Sequence, residues 1–392
     1  SVTILNNPAN SITPLGNNTF RASYTVTGSE QEGTVSFDIS VTDLAGNSTS
    51  IDSTSDNSYV VYDQTPPSNF TLGQVISAGG DTVLPGYWNS TNESLLVTVP
   101  IENNDNSLIN GAVQVLVSFD GSDTLEIGDA ETITRIDTPK VITISDDDFE
   151  DSQHFAHGTT ALFTARINDV AGYTTFGTAS NDTLQIDIRT PVIDSIRIES
   201  SNNDSSKAKG GDTVFVKFLV QEDLMTDSAS TTILIAGIIA EYGEVEDDIY
   251  NFFKKMDTSD VQGVVSFSIK PMDLAGNLGS VRDQSTDGSR VIYDYTPPFI
   301  NHIYEGSFVE DKDYIPSKDS LRLGIDGGDL LSGLSGFNFS LGYEPGIDDV
   351  IDWKISTDGN VDILAVSYKH QPQPTNREKK INKGNEKLKT TR

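Results

Sequence analysis

Cysteine is absent from all 392 residues, so neither disulfides nor thiol chemistry can hold or operate this chain. Tryptophan occurs twice and histidine four times, which leaves few candidates for imidazole catalysis and none for a cysteine-based zinc centre. Positive charge is also scarce. There are 26 Lys and Arg against 58 Asp and Glu, a net charge of -32. From Lys369 onward eight basic residues face two acidic ones, so the remainder carries about -38. A body that acidic repels nucleic acid and anionic membrane, and it suits cations. Long apolar runs are missing too. The longest, 233–240, has eight residues, far short of a membrane span. The opening residues contain no hydrophobic leader, so no signal peptide is expected among them.

What is present is a repeat. Asp-X-Ala-Gly-(Asn/Tyr) occurs as Asp43-Leu44-Ala45-Gly46-Asn47, Asp169-Val170-Ala171-Gly172-Tyr173 and Asp273-Leu274-Ala275-Gly276-Asn277. Each copy follows an alternating stretch and precedes a proline exit: Asp63-Gln64-Thr65-Pro66-Pro67, Asp187-Ile188-Arg189-Thr190-Pro191 and Asp294-Tyr295-Thr296-Pro297-Pro298. Val35, Phe37, Ile39 and Val41 alternate with polar residues, and Ala161, Phe163, Ala165 and Ile167 occupy the same slots in the second copy. Period two predicts half-buried strands, each reversed by a tight turn. Further strands are expected at 59–62, 95–101, 113–119, 141–144 and 184–188. The acidic stretch 146–151 reads as a helical turn capped by Ser145. Adding 230 to the first copy aligns Gly33 with Gly263, Phe37 with Phe267 and Asp43 with Asp273, and places Ser1 on Thr231. Ile249, Phe252, Phe253 and Met256 have helical spacing, but their first-copy equivalents alternate, so a strand is predicted there. Residues 191–230 have no first-copy counterpart.

The fold class expected is all-β: tandem antiparallel, immunoglobulin-like β-sandwiches with a disordered C-terminal tail. The domain expectation is an N-terminally truncated sandwich over 1–64, full sandwiches over 65–189 and 190–296, an incomplete sandwich over 297–368 and a basic tail over 369–392. Loss of some six buried apolar contacts would remove about 9–18 kcal/mol from the first unit, against a domain margin of about 5–15 kcal/mol. Residues 1–64 are therefore expected not to fold in isolation. In the fourth unit, residues 321–325 and 337–341 alternate, Gly327-Gly328 should break the first run, and Trp353 with Ile355 forms one more strand.

The Asp-X-Ala-Gly-Asn turn followed by Asp-X-Thr-Pro-Pro resembles the bacterial immunoglobulin-like domains of large surface adhesins and secreted repeat proteins. The stretch Pro85 to Asn92, followed by 95–100, is similar to another repeat type of the same proteins. The fourth unit resembles a fibronectin type III module, although Ile325 stands where such strands commonly carry tryptophan. The resemblance implies an extracellular or cell-surface protein with a mechanical and adhesive role, whose neighbours are further repeats of its own polypeptide. It is compatible with a cell-surface or polysaccharide ligand; no converging polar cleft can be assigned, so no catalysis is expected, and the acidity and short apolar runs speak against nucleic acid and membrane insertion.

Calcium is the candidate chemistry. In a chain of sandwiches joined pole to pole, the exit Asp63 should approach the turn Asp169, and Asp187 should approach Asp273. Two carboxylates about 5 Å apart repel by roughly 3 kcal/mol at an effective dielectric near 20, and a hard cation relieves this. The family resemblance points the same way, since comparable adhesin repeats hold calcium between domains. The alternative is that each turn aspartate caps its own turn through an Asx bond. Neither pair matches an EF-hand loop. His154 and His157 are spaced for one side of a metal site but read as a solvated loop. The remaining histidines have no triad around them, and the glycines at 327–336 lack the spacing and lysine of a phosphate loop. Tyr87, Trp88 and the nearby asparagines could line a glycan-binding face, which would make the chain a carbohydrate-binding accessory of a secreted hydrolase. The bland reading is that Trp88 packs at a domain edge. Asn47-Ser48-Thr49 and Asn89-Ser90-Thr91 are glycosylation sequons that arise by chance in so Asn- and Ser-rich a chain. The basic tail reads as solvated or as a frame artefact.

Overall fold

A computed structural model describes residues 1–307, 310–311, 320–342, 344, 346–348 and 350–364. The expected tail lies outside the described residues. The described chain is all-β, and its helices are the 3-10 turn Asn106–Leu108 and the short α-helix Asp146–Glu150. It divides into two compact units. One comprises Ser1–Thr190 with Met272–Leu278, and the other Pro191–Pro271 with Gly279–Arg392.

Within the first unit, residues 75–187 form a sandwich of two sheets. One sheet runs Tyr87–Asn89, Thr183–Asp187, Thr160–Asn168, Ala112–Phe119, Leu125–Thr132, with Thr174–Phe176 also on Thr160–Asn168. The other runs Lys140–Ser145, Ser94–Val99, Val75–Ala78. Alternation decides the facing. Ala161, Phe163, Ala165 and Ile167 are buried, as are Leu95, Val97 and Val99 from the opposite sheet. Each Phe, Ile, Leu or Val among them contributes about 1.5–3 kcal/mol of burial. The register between Ala112–Phe119 and Leu125–Thr132 jumps from Val113/Glu131 to Val115/Ile127, a bulge in the latter strand, while Gln114 is buried on the face opposite Val113 and Val115. Its amide is satisfied there, because Nε2 donates to the carbonyls of Ile127 and Gly128 at 3.0 and 3.1 Å.

One end of this core is closed by the helix Asp146–Glu150. Ser145 caps it, its Oγ accepting from Asp148 N at 3.1 Å. The helix inserts Phe149 among Phe119, Phe155, Phe163 and Trp88, with Trp88 edge-on at 4.9 Å between ring centres. Trp88 belongs to this core and is 0% exposed, rather than packing at an edge. It sits on a three-residue strand that pairs in parallel with Thr183–Asp187, and its Nε1 donates to Glu150 Oε1 at 2.9 Å.

Residues 1–64 have strands without a buried core. Asn7–Pro8, Val2–Ile4, Phe37–Thr42 and Ser48–Ile51 form one sheet, Ser11–Gly16 and Thr19–Ser23 form a hairpin, and Gly33–Thr34 pairs antiparallel with the distant Val61–Tyr62. The strand expected over 59–62 shortens to Val61–Tyr62 because only those residues find a ladder partner. No residue of 1–64 is buried.

The second unit contains the same strands with a core. Thr232–Ile235, Glu241–Glu246, Ile249–Lys255, Gly263–Val264, Phe267–Lys270 and Ile292–Tyr293 repeat the order seen in 1–64. Ile249–Lys255 is a strand, as the repeat predicts and the helical spacing does not. Both tight hairpin turns recur with positive φ at two successive residues: Leu5 and Asn6 match Ala236 and Gly237, and Asn17 and Asn18 match Asp247 and Asp248. The uniform offset fails by one residue at the start. Ala9 N donates to Val2 O as Ala240 N does to Ile233 O, so Asn10 is an extra residue and Ser1 falls on Thr232. The added strands are Ile193–Ser200, Lys207–Ala208 and Thr213–Val220, and they help bury Tyr250, Phe252, Ile269 and Tyr293.

Further along this unit, Phe299–Ser307 pairs with Ser320–Gly328, which pairs with Asn360–Leu364, and Phe337–Leu341 pairs with Ile351–Ser356. The strand ends at the Gly327-Gly328 pair, as expected, with both glycines still in the ladder, where the neighbouring backbone closes in: a Cβ on Gly327 would lie 2.5 Å from Phe299 O. Among the described residues here, Ile325 and Val361 are the buried apolar ones.

Candidate cation site

The turn at 273–277 folds on itself. Asp273 Oδ1 accepts from Ala275 N and Asn277 N at 2.9 and 2.8 Å, and Oδ2 accepts from Asn277 Nδ2 at 2.9 Å. Short polar side chains that capture the backbone two and four residues on are what select this turn, and Gly276 supplies the required φ of +92°. The turn belongs to the first unit, where the stretch 82–92 and the end of Thr183–Asp187 receive it. Asn89 Nδ2 donates to Ala275 O at 2.8 Å and to Thr82 O at 2.9 Å. Asn277 Oδ1 accepts from Ser90 N and Ser90 Oγ at 3.0 and 2.8 Å. Asn277 Nδ2 also donates to Asp187 O at 2.9 Å. All four hydrogen-bonding positions of the Asn277 amide are thus used, and the residue is 0% exposed.

This docking brings Asp187 and Asp273 together, with carboxylate oxygens within 4.8 Å. At that distance two anions repel by about 3 kcal/mol at an effective dielectric near 20. Burial pushes the Asp273 carboxyl above its ordinary value, against the hydrogen bonds from Asn277 and Ala275, and the Asp187 charge pushes the same way. His157 Nδ1 stands 3.2 Å from Asp187 Oδ1. His154 is a loop residue with φ of +75°. Oxygen donors in this arrangement suit a hard cation such as calcium.

Asp63 and Asp169 show a different fit. Asp63 Oδ1 accepts from Thr65 N at 3.0 Å, and Asp169 Oδ1 accepts from Gly172 N and Tyr173 N at 2.7 and 2.9 Å. In both residues Oδ2 is buried with no hydrogen-bond partner. The reason at Asp169 is the sequence. Tyr173 stands where the other copies have asparagine, and a phenol there does not reach back to the carboxylate. The two segments lie close: Thr175 Oγ1 donates to Pro67 O, and Tyr173 is near enough to contribute to a raised Tyr62 hydroxyl value, after burial and Glu30. Each orphaned carboxylate oxygen is a donor that a hard cation would satisfy.

Each of the three turn aspartates also caps its own turn, so the Asx reading and the paired-carboxylate reading describe the same residues. Asn277, the last residue of the motif, and Asn89 and Ser90, which acidic spacing did not single out, position the turn. Asn89-Ser90-Thr91 is legible as a sequon, but Asn89 is 0% exposed and its amide is occupied. Trp88 is likewise buried and cannot line a glycan-binding face. In the second unit, Asp294 accepts from Thr296 N at 2.9 Å and Ser332 N at 3.1 Å, beside a turn capped by Asp329. Asp329-Leu330 is the only part of the motif left there, which is why the sequence did not mark it.

No protein-family model matches the chain, and no characterised protein matches it by sequence. Several solved structures are similar. A Ca2+-stabilised adhesin with which an Antarctic bacterium reaches out and binds ice is 13% identical with a TM-score of 0.36, covering 93% of this chain and 81% of that one. A structure concerned with host cell surface retention of a 1.5-MDa bacterial ice-binding adhesin is 13% identical with a TM-score of 0.27, covering 74% and 82%. Chicken CNTN1 FN1–FN3 domains are 12% identical with a TM-score of 0.25, covering 69% and 88%. Among the described residues no helix is long and apolar enough to cross a membrane.

Proposed function

We propose that this chain is a non-catalytic stalk segment of a secreted or cell-surface bacterial protein, built from bacterial immunoglobulin-like repeats and stiffened at its joints by calcium. Its work is mechanical: it spaces or presents an adhesive element away from the cell. The observation that carries the reading is the pairing of Asp187 with a buried Asp273 whose carboxyl is held above its ordinary value. A like-charge pair with one buried and one half-buried carboxylate favours a hard cation between them. The orphaned oxygens of Asp63 and Asp169 extend the same chemistry to a second place in the chain. The recurring turn and proline exit supply the resemblance to surface-adhesin repeats.

Calorimetric titration of the full chain with calcium after chelation tests this. Extracellular calcium modules bind at about 10⁻⁴–10⁻³ M, and a free concentration a hundred times the dissociation constant stabilises by about 2.7 kcal/mol. The expected result is saturable binding with a rise in melting temperature, reduced by Asp187→Asn. Absence of both heat and melting shift at millimolar calcium would end the proposal. Small-angle scattering should also show a narrower distribution of chain lengths with calcium than with chelator.

A further inference from the structure

In the second unit, Ile193–Ser200, Thr213–Val220, Ile249–Lys255 and Glu241–Glu246 lie side by side in one antiparallel sheet. Its inward face is core, with Ile196, Val216, Phe218, Tyr250 and Phe252 buried. Register fixes three rows on the outward face. Glu199, Phe215, Phe253 and Glu241 make the first, Arg197, Lys217, Asn251 and Glu244 the second, and Ser195, Leu219, Ile249 and Glu246 the third. The centre of this face is apolar without being buried: Phe215, Leu219 and Phe253 are half-buried, and Ile249 is 42% exposed. The rings of Phe215 and Phe253 stand 6.2 Å apart. The rim is charged and uneven, with Arg197 exposed on one side and Glu241, Glu244 and Glu246 exposed on the other. The sandwich itself does not demand these apolar residues. In the first repeat Thr19, Arg21 and Ser23, all exposed, take the places of Ile249, Asn251 and Phe253.

We propose that two copies of this chain associate through this face, about a two-fold axis parallel to the strands. Rotation about such an axis lays Ile193–Ser200 of one copy over Glu241–Glu246 of the other, and every contact is made twice. Arg197 then meets Glu244, Phe215 meets Phe253 and Leu219 meets Ile249. Stacked sheets keep their strands within about 30° of one another, so this match holds at the centre of the face. An apolar centre inside a charged rim is the anatomy of a protein interface. The polarity of the rim is what selects a second copy, because the basic side of the face finds its acidic complement on the face itself. A two-fold axis across the strands would instead set the three glutamates of 241–246 against their own copies. In the arrangement chosen Glu199 faces Glu241, but its charge is already met by Arg197 at 3.0 Å and Lys217 at 2.8 Å. Four strands about 4.8 Å apart and about eight residues long cover roughly 500 Å² per copy. Roughly 1,000 Å² in total is the lower edge of a specific interface, so the association is weak and reversible. It adds lateral pairing to the mechanical role proposed above and does not depend on calcium.

Sedimentation of the full chain in chelator at about 0.15 M salt, where charges more than about 8 Å apart are largely screened, tests this. A reversible monomer–dimer equilibrium with a dissociation constant of about 10–100 μM is expected. Ile249→Thr with Phe253→Ser, the residues of the first repeat, should weaken it at least about tenfold while the second unit still melts cooperatively. Arg197→Glu alone and Glu244→Arg alone should each suppress self-association, since like charges then meet at both contacts. Mixing those two variants should restore dimers, because only the mixed pair has opposite charges at both. A chain that stays monomeric at about 0.3 mM overturns the proposal. Dimers indifferent to Ile249→Thr with Phe253→Ser, or charge variants that mixing does not rescue, overturn it as well.

Discussion

The turns at 43–47 and 273–277 use the same five residue types and form the same hydrogen bonds. Asp43 Oδ1 accepts from Ala45 N and Asn47 N at 2.9 and 2.8 Å, and Oδ2 accepts from Asn47 Nδ2 at 2.8 Å, within 0.1 Å of the Asp273 values. Yet the two aspartates titrate in opposite directions. Asp43 lies in the open, where hydrogen bonds from Asn47, Ala45 and Gly46 hold its carboxyl below the ordinary value. Asp273 has the same donors, but burial and the Asp187 charge override them. The local sequence makes the turn. What the turn is packed against decides whether it is a cap or half of a cation site.

The comparison breaks most sharply at the asparagine. Asn277→Ala leaves the buried Asp273 Oδ2 without its amide partner, at about 1–3 kcal/mol, and removes the part-buried bonds to Asp187 O and from Ser90 N, at about 1 kcal/mol each. A loss of about 3–5 kcal/mol is expected in a denaturant melt of the full chain. Asn47→Ala removes an exposed bond and should cost under about 1 kcal/mol. Equal effects would mean that the turn at 273–277 is not docked in solution. The glycines sharpen the same contrast. Gly46 and Gly276 have φ of +93° and +92°, so alanine at either costs about 1–2 kcal/mol in backbone strain. At Gly46 the new Cβ meets nothing within 4 Å, but at Gly276 it meets Thr82 Cγ2 at 2.7 Å and Leu84 Cδ1 at 3.1 Å. Gly276→Ala should therefore lose about 2–4 kcal/mol, roughly twice the Gly46→Ala effect. The third turn can be moved toward the other two. Tyr173→Asn offers an amide to the orphaned Asp169 Oδ2, so it should stabilise the chelated chain by about 1 kcal/mol and weaken calcium binding there.

Strand positions were legible wherever one face is buried, because alternation of residues such as Ala161 to Ile167 is a direct image of the sheet. The Ser145 cap was legible for the same local reason. Tyr87–Asn89 was not, since three residues carry no period and their parallel partner lies almost a hundred residues away in sequence. Leu125–Thr132 was hidden because its inward and outward faces are both largely polar. At the candidate site, acidic spacing pointed to Asp187 and Asp273 but not to Asn277, Asn89 and Ser90. Asn277 stands in the repeated turn motif, but its bonds to Asp187 and Ser90, like those of Asn89, are made across the fold, where local spacing does not reveal them.

The smallest effect expected is the most specific to the contrast, because it concerns the sign of a pH dependence. The folded chain holds the Asp273 proton more tightly than an unfolded chain does, where the ordinary value is 3.8. Stability from this group is fully present below 3.8 and is lost as pH rises through the raised folded value. Asp43 behaves inversely: its contribution is present above 3.8 and is lost as pH falls through its lowered value. Every other carboxylate adds its own slope, so the difference between wild type and a single substitution is the informative quantity. In chelator, wild type minus Asp273→Asn should gain stability on acidification from neutral pH, while wild type minus Asp43→Asn should lose it. Calcium should abolish the first difference slope at neutral pH, because a bound cation favours the anion of Asp273 and so removes the cause of its raised value. Melting curves across pH, with and without calcium, measure all three. Parallel slopes for wild type and Asp273→Asn in chelator would show that burial does not perturb this carboxyl in solution, and the two turns would then be chemically alike.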